Sequence, residues 1–197
     1  MISIRLVNTE DSAGILKIYA PYILKTSLTF EIEVPDEKAF KERIGTYLQN
    51  WPWLVCEIDG QIIGYAYGTR YRERVAYQWG TEVSVYIHDD HHRKGIAKAL
   101  YTALIKILKK QGFRNAYAVI NLPNDNSVAF HESCGFKYFA TYENVGYKLG
   151  KWKNVGWWQL QLNDYNNEPE APILFRDLKK EFLPDLFKDA ERLIKAE

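Results

Sequence analysis

Residues 91–100 read "HHRKGIAKAL", and the chain changes character inside that stretch. Two histidines, an arginine and a lysine stand together. A glycine follows, and the residues beyond it turn apolar at helical spacing. Ile96, Leu100, Leu104, Ile107 and Leu108 carry that spacing to Gly112, which predicts an amphipathic helix closed by a glycine. Just upstream, "AYQWGTEVSVYI" (76–87) reads as a long strand. Thr81, Val83, Val85 and Ile87 alternate with Glu82, Ser84 and Tyr86. A strand that runs through a glycine turn into a helix presents unpaired N–H groups at the positive end of the helix dipole. That arrangement suits a phosphate or pyrophosphate. Gly95 lets a ligand approach the backbone closely, and Arg93, Lys94 and Lys98 add charge. The spacings G-x-x-x-x-G-K-[ST] and G-x-G-x-x-G are both absent, so this is neither a Walker loop nor a dinucleotide fingerprint. A solvated basic helix start accounts for the same residues equally well at this point.

The flanking segments extend the pattern. "NAYAVI" (115–120) predicts a second strand, which opens into the polar "NLPNDNSVAFHESCGF" (121–136) with a short helix closed by Gly135. Two adjacent strands that both end in polar loops make a cleft. Toward the N-terminus, "ISIRL" (2–6) predicts a short strand. A helix then carries Ile15, Ile18, Tyr19, Tyr22 and Ile23, with a kink or break expected at Pro21. A second helix over 36–49 has Pro35 and Asp36 as its start signal. "WLVCEI", "DG" and "QIIGYAYGTRY" (53–71) form a strong hairpin signal, because Asp-Gly supplies the positive φ of a tight turn. "FKYFATYENVGYKL" (136–149) and "VGWWQLQL" (155–162) read as two closing strands. Helices that cross between strands, with hairpins at both ends, predict a mixed α/β sheet.

Length and composition narrow the classes. The chain has 197 residues, enough for one domain with a sizeable core, and a net charge of +1. No global field points toward nucleic acid or a membrane surface. No apolar run reaches the ~20 residues of a membrane span, so a cytoplasmic protein is expected. Cys56 and Cys134 are expected to be free thiols rather than a disulfide. No metal site is expected. "NDYNNEPEAP" (163–172) reads as a linker. Beyond it Leu178, Phe182, Leu183, Leu186, Phe187, Ala190, Leu193 and Ile194 recur at helical spacing, with Pro184 expected to split them into two helical pieces.

The same residues carry a family resemblance. R-K-G-I-A before an apolar helix resembles the pyrophosphate-binding motif of the GNAT family of N-acetyltransferases, Q/R-x-x-G-x-G/A. "NSVAFHESCGF" is similar to a later segment of that family. "TSLTFE" (26–31), "RERVAYQWGTEVSVYI" (72–87), "LPNDNSVAFHE" (122–132) and "GYKLGKWKNVGWWQ" (146–159) resemble its phosphinothricin and methionine sulfoximine acetyltransferase branch. His92 departs from the motif, which has Gln or Arg at that place. The likeness runs from about Thr26 to Leu162 and has no counterpart for the tail. It implies a domain over 1–163 followed by a linker and helical extension over 164–197. The implied fold is a mixed, mostly antiparallel sheet with splayed strands, flanked by helices.

The resemblance implies direct acetyl transfer from acetyl-CoA to the primary amine of a small amino-acid-like substrate. Such an amine is mostly protonated near neutral pH, so a base must take its proton. Glu82 is the first candidate, on a strand face shared with Ser84 and Tyr86. It is otherwise an exposed strand residue, or one paired with Arg72 or Arg74. His131 is the second, and is otherwise a helix histidine with a structural bond. For acetyl-CoA, Val85, Tyr86 and Ile87 are expected to meet the pantetheine arm as an added strand would. Arg93, Lys94, Gly95, Ile96, Ala97 and Lys98 are expected at the pyrophosphate. Asn124, Asn126 and Ser133 are expected nearby, although Ser133 reads equally as a surface serine. Arg72, Arg74 and Tyr77 are the substrate carboxylate candidates, and Phe30 and Glu31 the pocket-shaping ones. Trp157 and Trp158 fit a core or an interface better than a ligand contact. A homodimer is expected. The alternatives are the same chemistry on a polyamine or peptide N-terminus, or a non-catalytic acyl-CoA-binding module.

Overall fold

The Asp59-Gly60 turn sets the first half of the sheet. Both residues have positive φ, 49° and 81°, as a two-residue hairpin requires. In this computed structural model, which describes residues 2–166 and 168–195, the hairpin joins β2 (Trp53–Ile58) to β3 (Gln61–Arg70). β1 (Ile2–Leu6) pairs with the outer side of β2. β4 (Gly80–Ile87) pairs antiparallel with β3. A crossover through α3 (Ile96–Gln111) then brings β5 (Asn115–Leu122) parallel to β4. β6 (Lys137–Lys148) and β7 (Lys151–Gln161) close the sheet as a hairpin whose turn uses Leu149 and Gly150 at positive φ. The strand order is β1-β2-β3-β4-β5-β7-β6, with only the β4–β5 pair parallel.

Strand alternation sends the core to both faces. Trp53, Val55 and Tyr65 pack under α1 (Ser12–Lys25) and α2 (Glu37–Asn50), against Ile15, Ile18, Phe40 and Ile44. Leu54, Cys56, Ala66 and Val83 face the other way, against Leu100, Leu104, Ile107 and Leu108 of α3. α2 starts where the sequence places it, with the Asp36 carboxylate accepting from the Ala39 N–H. α4 (Asp125–Ser133) starts on Asn124, whose side chain accepts from the Ser127 N–H. Both cysteines are free, Cys56 fully buried.

Three local expectations are corrected. α1 runs unbroken through Pro21, because Ile15, Ile18 and Tyr19 before the proline and Ile23 after it are buried in one cluster. Residues 76–79 are not strand: Val75–Tyr77 form a 3-10 turn, and β4 begins at Gly80. β7 begins at Lys151, four residues before the segment that reads as a strand, because the tight turn at Leu149–Gly150 lets Lys148 and Lys151 pair at once.

The tail is corrected too. Pro184 does not divide two helices; it lies in the first turn of a single helix, α5 (Leu183–Glu191), where its missing N–H costs nothing. Phe175, Leu178, Leu183, Leu186 and Ala190 are buried in the α3-side core. Gln111 donates to the Ile173 carbonyl at 2.7 Å, and the Glu191 carboxylate accepts the Ile4 N–H at 2.7 Å. Asn167, within the segment that reads as a linker, lies outside the described residues, as do Ala196 and Glu197. Among the described residues no helix is long and apolar enough to cross a membrane.

Candidate active site

β4 and β5 pair at three positions only: Gly80 with Asn115, Thr81 with Ala116, and Glu82 with Tyr117. Beyond them the strands part. β4 stays bound to β3 as far as Ile87, while β5 follows β7 as far as Leu122. A cleft of about 660 Å³ fills the opening, bounded by Val83–Ile87, Val119–Asn121, the start of α3 and the inner face of α4. The β4 edge there has no ladder partner on the β5 side, so its backbone groups are available to an extended ligand.

The basic end of the cleft is built on Gly95. Its φ of 84° caps α3 in the left-handed conformation, and no side chain caps the helix start. The first-turn N–H groups of α3 therefore face the cleft without a side-chain acceptor. His92 turns back onto the sheet, where its Nε2 lies 3.1 Å from the Ile87 carbonyl. The Tyr22 hydroxyl donates to the same carbonyl at 2.6 Å, tying α1, β4 and the loop together.

Most residues expected at the coenzyme line this cleft: Val85, Tyr86, Ile87, Arg93, Gly95, Ile96, Ala97, Lys98, Asn124 and Asn126. Lys94 and Ser133 do not. The Lys94 carbonyl accepts from the Lys195 N–H at 2.9 Å. Ser133 is exposed at the far end of α4, where its hydroxyl donates to the Phe130 carbonyl. Asn121, which sequence reasoning missed, adds a buried side-chain N–H₂ with no hydrogen-bond partner, in the cleft wall. A buried orphan donor, a free strand edge and an uncapped helix start fit the amides and phosphates of a coenzyme A molecule.

Glu82 sits at the vertex, on the last residue pair before the strands part. The cleft reaches Val83 and Ser84, one residue short of it. Burial pushes its carboxyl up from 4.5 to about 7, against a smaller opposing pull from the Arg72 charge. His131 lines the cleft but is buried, with both ring nitrogens engaged. Nδ1 lies 2.7 Å from the Ser127 carbonyl, an obligate acceptor, so Nδ1 carries the proton. Nε2 then accepts from the Tyr101 hydroxyl at 3.0 Å. Burial holds the imidazole below its ordinary 6.5, which keeps it neutral.

The residues expected at the substrate are divided. Arg72 lies over the rings of Tyr71 and Tyr77, at 5.2 and 5.6 Å from their centroids. Arg72, Arg74 and Tyr77 line a separate depression of about 230 Å³ that is shared with Ile173 and Leu174 of the tail. Glu31 is held in an ion pair with Arg43 at 2.7 Å and accepts from the Tyr19 hydroxyl, so it braces its loop. The Phe30 ring packs against Gly146, leaving no room for a Cβ there. Lys148 donates to the Thr29 carbonyl at 2.8 Å, joining that loop to the closing hairpin, and Leu28 of the loop lines the cleft. Tyr22, Ser84, Tyr101, Asn121 and Ser127 are further cleft residues. Of these, Ser84 carried a signal as the residue alternating with Glu82, and Asn121 and Ser127 only as members of the polar 121–136 segment expected at the cleft. Among the described residues no group of three or more His, Cys, Asp or Glu side chains is placed to hold a metal.

Comparison with known proteins agrees with this geometry. Residues 4–157 match the family model described as "Acetyltransferase (GNAT) domain". The chain is 37% identical to a phosphinothricin N-acetyltransferase of Streptomyces viridochromogenes over 80% of its own length and 86% of the relative's. It is 31% identical to an L-methionine sulfoximine/L-methionine sulfone acetyltransferase of Salmonella typhimurium, over 83% and 96%. A GNAT superfamily phosphinothricin acetyltransferase from Sinorhizobium meliloti, solved in complex with acetyl-CoA, superimposes with a TM-score of 0.81 at 30% identity, covering 89% of this chain and 98% of that one.

Proposed function

The chain belongs to the GNAT acetyltransferase family, as an acetyl-CoA-dependent N-acetyltransferase. From that premise we propose that its acceptor is the primary amine of a small amino-acid-like compound of the phosphinothricin, methionine sulfoximine or methionine sulfone type. Relatives with those named activities support the acceptor class. The observation that carries the chemistry is Glu82, a half-buried carboxylate at the vertex of the cleft with its pKa raised to about 7.

Bound acetyl-CoA would supply the thioester carbonyl that the amine attacks, the C–S bond breaking as the amide forms and coenzyme A leaving as the thiol. The protein's part is to hold, orient and deprotonate. The free β4 edge at Val85–Ile87 and the Asn121 amide would hold the pantetheine arm, and the Gly95 turn with the first N–H groups of α3 would hold the pyrophosphate. Glu82 takes the ammonium proton, through one water where the cleft stops short of it. His131, neutral and held between Ser127 and Tyr101, ties α4 to α3 in the cleft wall rather than titrating. Arg72 tempers the Glu82 pKa; Arg74 and Tyr77 belong to the neighbouring depression and act on the substrate only if it extends that far.

The protein works in the cytoplasm as a homodimer. β6 is an edge strand, and Tyr138, Phe139, Tyr142, Val145, Tyr147, Leu149 and Trp152 on its hairpin expose apolar surface that a second copy would cover. Sedimentation at micromolar concentration tests this, and a monomer refutes it. The decisive test of function is thiol release from acetyl-CoA against a panel of amines. Turnover of phosphinothricin or methionine sulfoximine, with slow or no turnover of polyamines and peptides, is the expected result. Turnover of a polyamine or peptide alone overturns the acceptor class, and hydrolysis without amine dependence overturns the transfer itself.

A further inference from the structure

The segment beyond the family match returns to the cleft. After α5, the Leu193 carbonyl stands where a Cβ on Gly95 would go. Ile194 packs against the α3-side core. The Lys195 N–H then donates to the Lys94 carbonyl at 2.9 Å, and Lys195 joins the cleft lining beside Arg93 and Gly95. The family match ends at residue 157, so this contact lies outside it. The arm is not a loose end. Its path is fixed by Phe175, Leu178, Leu183, Leu186 and Ala190 in the core, and by the Glu191 carboxylate on the Ile4 N–H.

We propose that the C-terminal arm is part of the coenzyme site: it backs the Gly95 turn and supplies Lys195 as a further cation for the phosphates of coenzyme A. The inference rests on the assignment of this cleft to acetyl-CoA. A lysine ammonium is a point charge suited to phosphate, and beside the uncapped start of α3 it adds to donors that already favour an anion. The Gly95–Leu193 contact gives the glycine a second role. A side chain at 95 would strain the turn and also push the arm away from the cleft.

The test is calorimetric titration of acetyl-CoA into the intact protein and its Lys195→Ala, Lys195→Glu and Lys195→Arg variants, without acceptor amine. Because Lys195 is exposed, Lys195→Ala is expected to weaken binding about threefold to tenfold at low salt, less at high salt, as an exposed charge pair would. Lys195→Glu should weaken it more, and Lys195→Arg should restore it. Lys188→Ala, an exposed charge on α5 away from the cleft lining, should bind as the wild type does. Repeating the titration with 3′-dephospho-coenzyme A locates the contact. A loss that persists assigns Lys195 to the pyrophosphate, and a loss that vanishes assigns it to the 3′-phosphate. Wild-type affinity in Lys195→Glu overturns the proposal. Failure of the wild type itself to bind acetyl-CoA overturns the assignment of the cleft instead.

Discussion

Replacing Glu82 with glutamine separates chemistry from structure. Glutamine keeps the size of the side chain and removes its basicity. With a pKa of about 7, the Glu82 carboxyl is about one-tenth ionised at pH 6 and about nine-tenths ionised at pH 8. In the wild type, kcat/KM should rise about tenfold across that interval at fixed amine ionisation. In Glu82→Gln that limb should vanish, leaving only the titration of the amine. General-base catalysis contributes about 10²- to 10⁴-fold, and kcat should fall by about that factor while calorimetric affinity for acetyl-CoA stays unchanged.

The same carboxyl makes an opposite prediction for stability. Its folded-state pKa is raised, so the folded protein holds the proton more tightly than the unfolded chain. Stability therefore falls as pH rises from 4.5 toward about 7, and the whole cost is present above that. Taken at face value the shift is worth about 3 kcal/mol, and the half-buried setting reduces this to about 1–2 kcal/mol. Glu82→Gln should thus be the more stable protein at pH 8, by a few degrees of unfolding temperature, and equal to the wild type near pH 4. Scanning calorimetry at the two pH values reads this directly. A variant that keeps both kcat and the pH limb refutes the base assignment. A variant less stable than the wild type at pH 8 refutes the burial argument.

Other outcomes follow from the geometry. His131→Phe leaves the buried Tyr101 hydroxyl and the Ser127 carbonyl without their ring partner. It should cost about 1–3 kcal/mol in urea unfolding, while the kinetic limb near 7 persists at whatever activity remains. Gly95→Ala forces a side chain into a φ of 84° and against the Leu193 carbonyl. It should lose about 1–2 kcal/mol of stability and bind acetyl-CoA more weakly by calorimetry. Acetyl-CoA at a hundred times its dissociation constant should stabilise the protein by about 2.7 kcal/mol. Thermal unfolding should show this as a rise of about 5–10 °C for a chain of this size.

What was legible in the sequence is what depends on neighbours in the chain. Asp59-Gly60 has few conformations open to it, and it makes the turn it reads as. Gly95 and Gly112 bound α3 because both need positive φ. The alternation of β4 put Glu82 on the face opposite Thr81 and Val83, and Thr81 and Val83 are indeed the buried ones. What was hidden depends on residues far apart. Tyr101 meets His131 across thirty positions. The tail meets Gly95 only after α5 has docked on β1 and α3. Residues 76–79 have strand composition, but β3 pairs with β4 no further than Arg70 with Thr81, so nothing extends the ladder to them.

The splay itself is such a long-range effect, and it explains why the two ends of the cleft differ. β5 can leave β4 after three pairs because β7 satisfies its other edge over eight. The β6–β7 hairpin therefore decides how wide the cleft opens, although none of its residues lines it. The coenzyme end is set by a short local motif, Gly95 and the start of α3, with the arm behind it. The amine end is set by three strands, β3, β4 and β5, whose two registers meet at Glu82, and by the 26–31 loop that Lys148 and Gly146 fasten to the hairpin. Substitutions in β6 and β7 should accordingly change acceptor preference before they change coenzyme affinity, and Lys148→Met is the sharpest case. It keeps most of the unbranched stem and drops the bond to the Thr29 carbonyl. A rise in amine KM at unchanged acetyl-CoA affinity is the expected result, and an effect on acetyl-CoA affinity alone would refute this division of the cleft.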